Sequence, residues 1–188
     1  MSPRRRAEHL AVIALFSGLT LLFLAPLSAH LATALTDAVD PLLVTWILAW
    51  DVHALLTQPG QLFQANIFWP YADALAYSET LLGSALLIFP LALAGDLPVL
   101  NHNLVLLSGF VLGGYTAFLL GKMVTRHTLA AILVGVVFVF NAYRLSMTPK
   151  TQMLTLQWLP LALIYLWRVT RRGRGRARWG RGRARWGR

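Results

Sequence analysis

Residues 30–79 read HLATALTDAVDPLLVTWILAWDVHALLTQPGQLFQANIFWPYADALAYSE. This stretch lies between two apolar runs, yet it holds five of the seven acidic residues of the chain: Asp37, Asp40, Asp51, Asp73 and Glu79. No Lys or Arg occurs from Ala7 to Gly121. Carboxylates next to apolar, membrane-facing surface are costly unless they are paired or have a function. We therefore expect the functional site in this stretch.

Composition points to the bilayer as the solvent of the chain. Of 188 residues, 57% are hydrophobic and 13% are charged, whereas a soluble domain carries about 25% charged residues. The fold class is predicted to be an all-α integral membrane protein. The net charge of +10 is local, because ten of the seventeen basic residues lie at or after Arg168. The absence of cysteine excludes disulfides and thiolate sites.

Four apolar runs are predicted to be transmembrane helices, at 10–29, 101–121, 128–143 and 153–169. Each is close to the length of about 17–25 residues that a spanning helix needs. A cleaved signal peptide is the alternative for the first run, since Ala32-Thr33-Ala34 has the small-residue form of a cleavage site. The run is longer than a signal peptide needs, and we favour an uncleaved span with Arg4–Arg6 in the cytoplasm.

The first outer loop, at 30–100, is predicted to contain two juxtamembrane helices, at about 41–56 and 80–95. Asp40-Pro41 is a helix-start signal and Gln58-Pro59-Gly60 is a stop signal. Trp46 and Trp50 on one face of the first helix suit the headgroup region of a membrane; an ordinary packed loop helix is the alternative. The second run is short and contains Pro90.

The distribution of basic residues across the membrane distinguishes a four-span topology from a five-span topology. If 80–95 crosses the membrane, only five basic residues are cytoplasmic and twelve are outside. If it lies in the outer leaflet, only Arg144 and Lys150 are outside, as the bias of basic residues toward the cytoplasm requires. Residues 1–9 and 122–127 are then cytoplasmic and 144–152 form the second outer loop.

The tail at 170–188 repeats the heptapeptide RGRARWG at 174–180 and 181–187. Such a segment has no apolar face to bury and is predicted to be disordered. We interpret it as contacting anionic lipid without a dedicated role, or as a coding accident. Nucleic acid is not an expected partner.

Several segments resemble the first outer loop of multispan membrane glycosyltransferases of the GT-C fold. They are TDAVDPLLVTWILAWD at 36–51, NIFWPY at 66–71 and LAYSE at 75–79, with the later pieces Ala142-Tyr143-Arg144, Gln152 and QWLP at 157–160. This class includes the dolichyl-phosphate-mannose protein mannosyltransferases and the lipid A aminoarabinose transferases. The resemblance, clearest to bacterial members, extends from about Ala7 to Arg172.

The resemblance implies transfer of a sugar from an isoprenoid-phosphate donor to an extracytoplasmic acceptor at a bacterial plasma membrane. It assigns the catalytic base to Asp40, with Asp37 next, and makes Glu79, Arg144, Lys150 and Gln152 substrate-binding residues. Lys150 stands where relatives have a His. The alternative role of Asp40 is a helix N-cap, and that of Arg144 and Lys150 is a snorkelling anchor. Asp51 is expected to face water.

No cofactor is predicted with certainty, although Asp37 and Asp40 could hold a divalent cation against the donor phosphate. Relatives have many more spans, so the chain is expected to be an amino-terminal fragment that is inactive alone unless another polypeptide completes it. The competing hypothesis is a non-catalytic membrane subunit or remnant whose outer loop contacts a partner. Membrane lipid is a partner in either case.

Overall fold

The structure, a computed structural model, describes residues 2–95 and 97–183, with side chains as far as Arg171. Within these residues the chain is helical and has no strands. Its helices are α1 (Pro3–Phe23), α2 (Ala25–Ser28), α3 (Asp40–Thr57), α4 (Leu82–Ala94), α5 (Pro98–Thr125), α6 (Thr128–Val139), α7 (Ala142–Ser146), α8 (Thr151–Leu154) and α9 (Trp158–Arg183), with 3-10 turns at Pro59–Gln61 and Ala74–Tyr77. Three helical segments are long and apolar enough to cross a membrane, namely α1, α5 and α6 with α7.

The first helix is shifted toward the N-terminus relative to the predicted span at 10–29. It begins at Pro3 and ends at Phe23, and the short helix α2 follows after Leu24. Pro26 explains the break, because proline has no N–H to donate and its ring clashes with the carbonyl four residues earlier. The chain therefore bends at the end of α1 rather than continuing straight to Ala29.

Helix α3 agrees closely with the predicted helix at 41–56 and ends at the 3-10 turn of Pro59–Gln61. Its buried face includes Val44, Ile47, Leu48 and Asp51. Leu42, one helical turn before Trp46 on the face that carries Trp46 and Trp50, is exposed. The tryptophans of that face are only partly buried.

Helix α4 is 13 residues long and contains Pro90. At 1.5 Å per residue it measures about 20 Å, well short of the roughly 30 Å hydrocarbon core of a bilayer. Its inner face packs with α3 through Ala85 and Ile88, and Leu86 and Leu93 are exposed on the other side.

Helix α5 is the centre of the fold and packs against α1, α3, α4, α6, α8 and α9. Phe16 of α1 is fully buried between Gly114 of α5 and Gly135 of α6. A Cβ atom at either glycine would overlap the Phe16 ring. The two glycines thus let a bulky aromatic ring fill the space where three helices meet.

The third apolar run breaks at Phe140, and the side chain of Asn141 caps α7 by accepting a hydrogen bond from the Arg144 amide at 3.0 Å. The fourth run is also broken, between α8 and α9.

Helix α9 continues to Arg183, into the tail at 170–188 that the sequence predicts to be disordered. Arg and Ala are good helix formers, and an existing helix extends at little cost. Residues 184–188, and the side chains from 172 onward, lie outside the described part of the chain.

Two apolar cores result. One joins α1, α2, α5 and α6 around Phe16 and Phe110, and the other joins α3, α4 and α5 around Leu48 and Val105. At the opposite end from the outer loop, Glu8 forms an ion pair with Lys122 and accepts a hydrogen bond from the Thr128 hydroxyl at 2.8 Å. This polar contact ties α1, α5 and α6 together.

Candidate functional site in the first outer loop

An open groove lies where α1 ends and the first outer loop begins. Its volume is about 520 Å³. The lining is mainly apolar and comes from Phe23, Leu24, Pro26, Leu27, His30, Ala34, Leu35, Thr36, Thr148 and Pro149. The groove is therefore formed by residues 23–36 and 148–149, which come from the end of α1 and from the two loops that the sequence predicts to be outer. Asp37 and Lys150 are each the next residue in the chain after a lining residue.

A buried hydrogen-bond network holds these two loops on α5. The hydroxyl of Thr151 lies 3.0 Å from Nε2 of His102, and Nδ1 of His102 lies 3.2 Å from Oδ1 of Asn103. The amide nitrogen of Asn103 donates to the carbonyls of Leu31 at 2.8 Å and Ala34 at 2.7 Å. Because the Asn103 oxygen must then accept, His102 carries its proton on Nδ1 and accepts from Thr151.

This network is a positioning device that sequence reasoning missed. Its members join residues 49 and 72 positions apart, so no local spacing indicates it. The adjacent pair His102-Asn103, polar side chains inside an apolar run, was the available signal.

Asp37 directly follows the groove-lining residue Thr36, and Asp40 lies three residues further on, at the start of α3. Asp37 is exposed, and its Oδ1 accepts a hydrogen bond from the Ala38 amide at 2.6 Å. Asp40 is half-buried and is the first residue of α3, where the N-cap is Val39 and no side chain caps the helix. The alternative role of Asp40 as an N-cap is therefore wrong. A carboxylate in the first turn still interacts favourably with the helix dipole.

Glu79 and Gln152, 73 residues apart, are brought together. The amide nitrogen of Gln152 donates to Oε1 of Glu79 at 3.3 Å, and the Ser78 hydroxyl donates to Oε2 at 3.0 Å. The backbone N–H of Glu79 and the Ser78 hydroxyl lower the pKa of the Glu79 carboxyl. Oε1 of Gln152 is buried without a hydrogen-bond partner in the described structure. This oxygen can therefore still accept a hydrogen bond.

The sequence predicts that Arg144 either binds substrate or is a snorkelling anchor, and both roles were expected of an exposed side chain. The structure does not place it in an exposed position. Its side chain is 3% exposed, and Nη2 donates to the carbonyl of Leu154 at 2.7 Å. The guanidinium carbon lies 5.5 Å from the ring centres of Phe110 and Phe138. The snorkelling role is thus wrong for Arg144, because its guanidinium is held inside by the Leu154 carbonyl, which also accepts from the Leu156 N–H at 2.8 Å, and by the Gly109 carbonyl of α5 at 3.4 Å. It fixes the second outer loop onto α5.

Lys150 is the basic residue that remains accessible in the second outer loop. It is exposed at the start of α8, directly after Pro149 of the groove.

Asp51 is the residue that the sequence placed wrongly. It is fully buried in α3 instead of facing water, and neither carboxylate oxygen has a hydrogen-bond partner in the described structure. Burial raises the pKa of the Asp51 carboxyl to about 6, and the nearby backbone of Leu81 offsets part of that rise. Asp51 lies on the same face of α3 as Val44, Ile47 and Leu48, but the helix is apolar on nearly every side, so this spacing alone does not show which face is covered.

The described residues contain no group of three or more His, Asp or Glu side chains placed to bind a metal ion. Asp37 and Asp40 are therefore not part of such a group in this part of the chain. Any cation held there would need further ligands from the phosphate of a bound donor.

No protein-family model, no curated protein and no solved structure matches the chain. The resemblance to GT-C glycosyltransferases therefore stays an expectation from sequence motifs, and function has to be inferred from the groove and the residues around it.

Proposed function

We propose that the chain belongs to a membrane glycosyltransferase and supplies its first outer loop. In this proposal a sugar moves from an isoprenoid-phosphate donor to an acceptor hydroxyl outside the cytoplasm, and a further polypeptide supplies additional spans. The observation that carries the proposal is the apolar groove of about 520 Å³ with Asp37 and Lys150 beside it.

The groove fits a donor that is both a lipid and an anion. Apolar side chains such as Phe23, Leu24 and Leu27 suit an isoprenoid chain, since each buried CH₂ contributes about 0.8 kcal/mol. Lys150 can pair with the phosphate as a point charge. Asp40 then removes the proton of the acceptor hydroxyl as the new C–O bond forms and the isoprenoid phosphate leaves. Glu79 with Gln152 offers hydrogen bonds to sugar hydroxyls.

The topology belongs to the same proposal. Four spans, with the N-terminus cytoplasmic in a bacterial plasma membrane, put both outer loops on the far side. The length of α4 supports this arrangement, because 13 residues suit a helix that lies on the membrane. The proposed fourth span is 153–169, which α8 begins and α9 completes after the break at 155–157.

The test of the groove uses the full chain in membrane vesicles and a polyprenyl phosphate that carries a photoreactive diazirine. We expect cross-links in residues 23–36 and 148–149. Unlabelled polyprenyl phosphate should compete better than the uncharged polyprenol. Lys150→Gln should reduce that difference, whereas Arg126→Gln, at the opposite end of α5, should leave it unchanged. Cross-links spread evenly along the exposed face of α6, or equal competition by the alcohol, would refute the groove.

The test of the chemistry follows radiolabelled sugar from polyprenyl-phosphate sugar into the material of intact membranes. Asp40→Asn should lower the rate about 100-fold or more, as expected for loss of a general base, with the amount of chain in the membrane unchanged. Asp37→Asn is the matched comparison. A lower amount of folded chain with Asp40→Asn, at unchanged rate per molecule, would assign Asp40 a structural role.

The second candidate is a non-catalytic membrane subunit whose outer loop contacts a partner. The burial of Arg144 favours it, because one of the residues assigned to substrate binding is engaged by backbone carbonyls instead. This candidate predicts that joint replacement of Asp37, Asp40 and Glu79 changes only stability and leaves sugar transfer by the membranes as it was.

A further inference from the structure

The segment from Leu62 to Tyr77 presents a concave aromatic surface that the proposed sugar transfer does not use. Phe68, Tyr71 and Tyr77, with Ala74 at the base, line an open cavity of about 390 Å³. The three aromatic side chains are 69%, 71% and 85% exposed, respectively. None of the three rings stacks on another within the described residues, so their faces are free. We call this the aromatic cavity.

The segment that carries the cavity is held firmly. The indole N–H of Trp50 donates to the carbonyl of Leu62 at 2.8 Å, and the Asp73 amide donates to Oε1 of Gln64 at 2.8 Å. Ala65 and Leu75 are buried beneath it. These contacts fix the backbone from which the rings project.

The backbone of this segment also stores strain. Phe68 and Asp73 have φ angles of 56° and 52°, a left-handed conformation that L-residues adopt rarely and at an energetic cost. Such residues persist only where the surrounding contacts impose them, and they concentrate at binding sites. The backbone of Phe68 is strained although its ring is exposed to solvent. Packing of the ring therefore does not account for the strain.

Charge around the cavity favours a cation. Asp73 directly precedes the lining residue Ala74, and Glu79 follows Tyr77 by two residues. The pKa of Glu79 is lowered, mainly by its own backbone N–H, so this carboxyl is ionised at neutral pH. Residues 62–79 themselves contain no Lys or Arg, but Lys150 stands two residues before Gln152, the hydrogen-bond partner of Glu79, so the preference for a cation depends on Asp73. A local negative potential attracts cations, and ring faces attract them through the quadrupole.

From this combination we infer that the aromatic cavity binds a quaternary ammonium group. Several aromatic rings around one space, with the exposed carboxyl of Asp73 in the same segment, recognise such a cation, because its methyl groups contact the rings and its charge is only weakly hydrated. The same group occurs on a choline lipid headgroup and on free choline.

The experiment uses the full chain in a polyoxyethylene detergent, which contains neither choline nor sugar. Saturation-transfer NMR follows the nine equivalent methyl protons of choline and, as the uncharged control of the same shape, those of 3,3-dimethylbutan-1-ol. We expect choline to bind at least about fivefold more tightly than the alcohol. Equal binding of the two probes would overturn the proposal and assign the cavity to apolar contacts.

Variants locate the site. Tyr71→Leu and Tyr77→Leu should each weaken choline binding roughly two- to fivefold, the range expected for one exposed ring. Tyr71→Phe, which keeps the ring, should bind as the parent does. Tyr143→Leu removes an exposed tyrosine elsewhere and is the matched control. If Tyr143→Leu weakens binding as much as the cavity variants, the site is elsewhere and the inference fails.

The source of the cation is separated by reconstitution into nanodiscs. If the choline signal disappears in phosphatidylcholine and persists in phosphatidylethanolamine–phosphatidylglycerol, the lipid headgroup occupies the cavity. If it persists in both lipids, the cavity takes a free quaternary ammonium compound. Loss of the signal in both lipids, with the chain folded, would mean that the bilayer covers the aromatic surface, and would overturn the inference.

Discussion

The hydroxyl of Thr151 lies 3.0 Å from Nε2 of His102, and through this contact the second outer loop is attached to α5. His102 continues to Asn103, whose amide holds the carbonyls of Leu31 and Ala34 in the first outer loop. Two loops that are far apart in sequence are thus positioned by two adjacent side chains. The groove between them depends on this connection.

Asn103→Leu is expected to lower the free energy of unfolding by about 2 kcal/mol or more, because it leaves two loop carbonyls without a donor. Asn101→Leu is the matched control on the same helix, since the Asn101 oxygen is buried without a hydrogen-bond partner in the described structure and its removal should cost little. Thermal unfolding in detergent measures both variants. Equal destabilisation by the two would show that the Asn103 contacts contribute nothing.

Gly114→Ala is expected to destabilise the bundle by roughly 1–3 kcal/mol, the usual cost of overpacking. The new Cβ would overlap the buried ring of Phe16. Gly18→Ala is the control: it lies in α1 with nothing within 4 Å of the new atom, and alanine favours a helix by up to about 1 kcal/mol. The double variant Gly114→Ala with Phe16→Leu should regain part of the loss. If it does not, the ring is not the source of the clash.

Asp51 predicts a pH dependence of stability. Its pKa is raised from 3.8 to about 6 in the folded chain, so between these values the folded chain keeps a proton that the unfolded chain has lost. The free energy of unfolding therefore falls as pH rises through this window, by roughly 3 kcal/mol in total. Glu79, with its lowered pKa, contributes in the opposite direction.

Asp51→Asn isolates this effect. The variant should be more stable than the parent at pH 7 and nearly equal at pH 4, as judged by unfolding curves across that range. Asp73→Asn, which changes an exposed carboxyl on the same loop, is the control and should leave the slope unchanged. The free energy of unfolding is compared between pH 4 and pH 7 for the parent and for Asp51→Asn. If it rises equally in both, the carboxyl of Asp51 is not buried and unpaired.

The helix bounds in the first outer loop could be predicted because local chemistry sets them. Asp40-Pro41 begins α3 and Gln58-Pro59-Gly60 ends it, and both signals act through residues adjacent in the chain. The interruption at Pro26 follows from the same chemistry, although the length of the apolar run hid it. The shortness of α4 was predictable from the short apolar run at 80–95.

The burial of charged side chains could not be predicted in the same way. Arg144 is buried because its guanidinium donates to the Leu154 carbonyl, ten residues away at the break between α8 and α9. Asp51 is buried because α4 and the Leu81 backbone cover that face of α3. A helix that is apolar on nearly every side does not reveal which face its neighbours will cover. Residues of the site are therefore better found from the packing than from the motifs.

Topology is open to a direct test, because the chain has no cysteine of its own. Leu97, between α4 and α5, is 47% exposed, and Val124, near the other end of α5, is 67% exposed. In intact cells an impermeant thiol reagent should label Leu97→Cys and not Val124→Cys. After permeabilisation both should react, which confirms that each position is accessible.

The reverse pattern would mean that α4 crosses the membrane. Asp40 and Lys150 would then lie on opposite sides of the bilayer, since the five-span arrangement returns the second loop to the cytoplasm while the first loop stays outside. One groove could not be lined by both loops in that case. The labelling of a single residue, Leu97→Cys, therefore decides whether the donor site proposed above can exist.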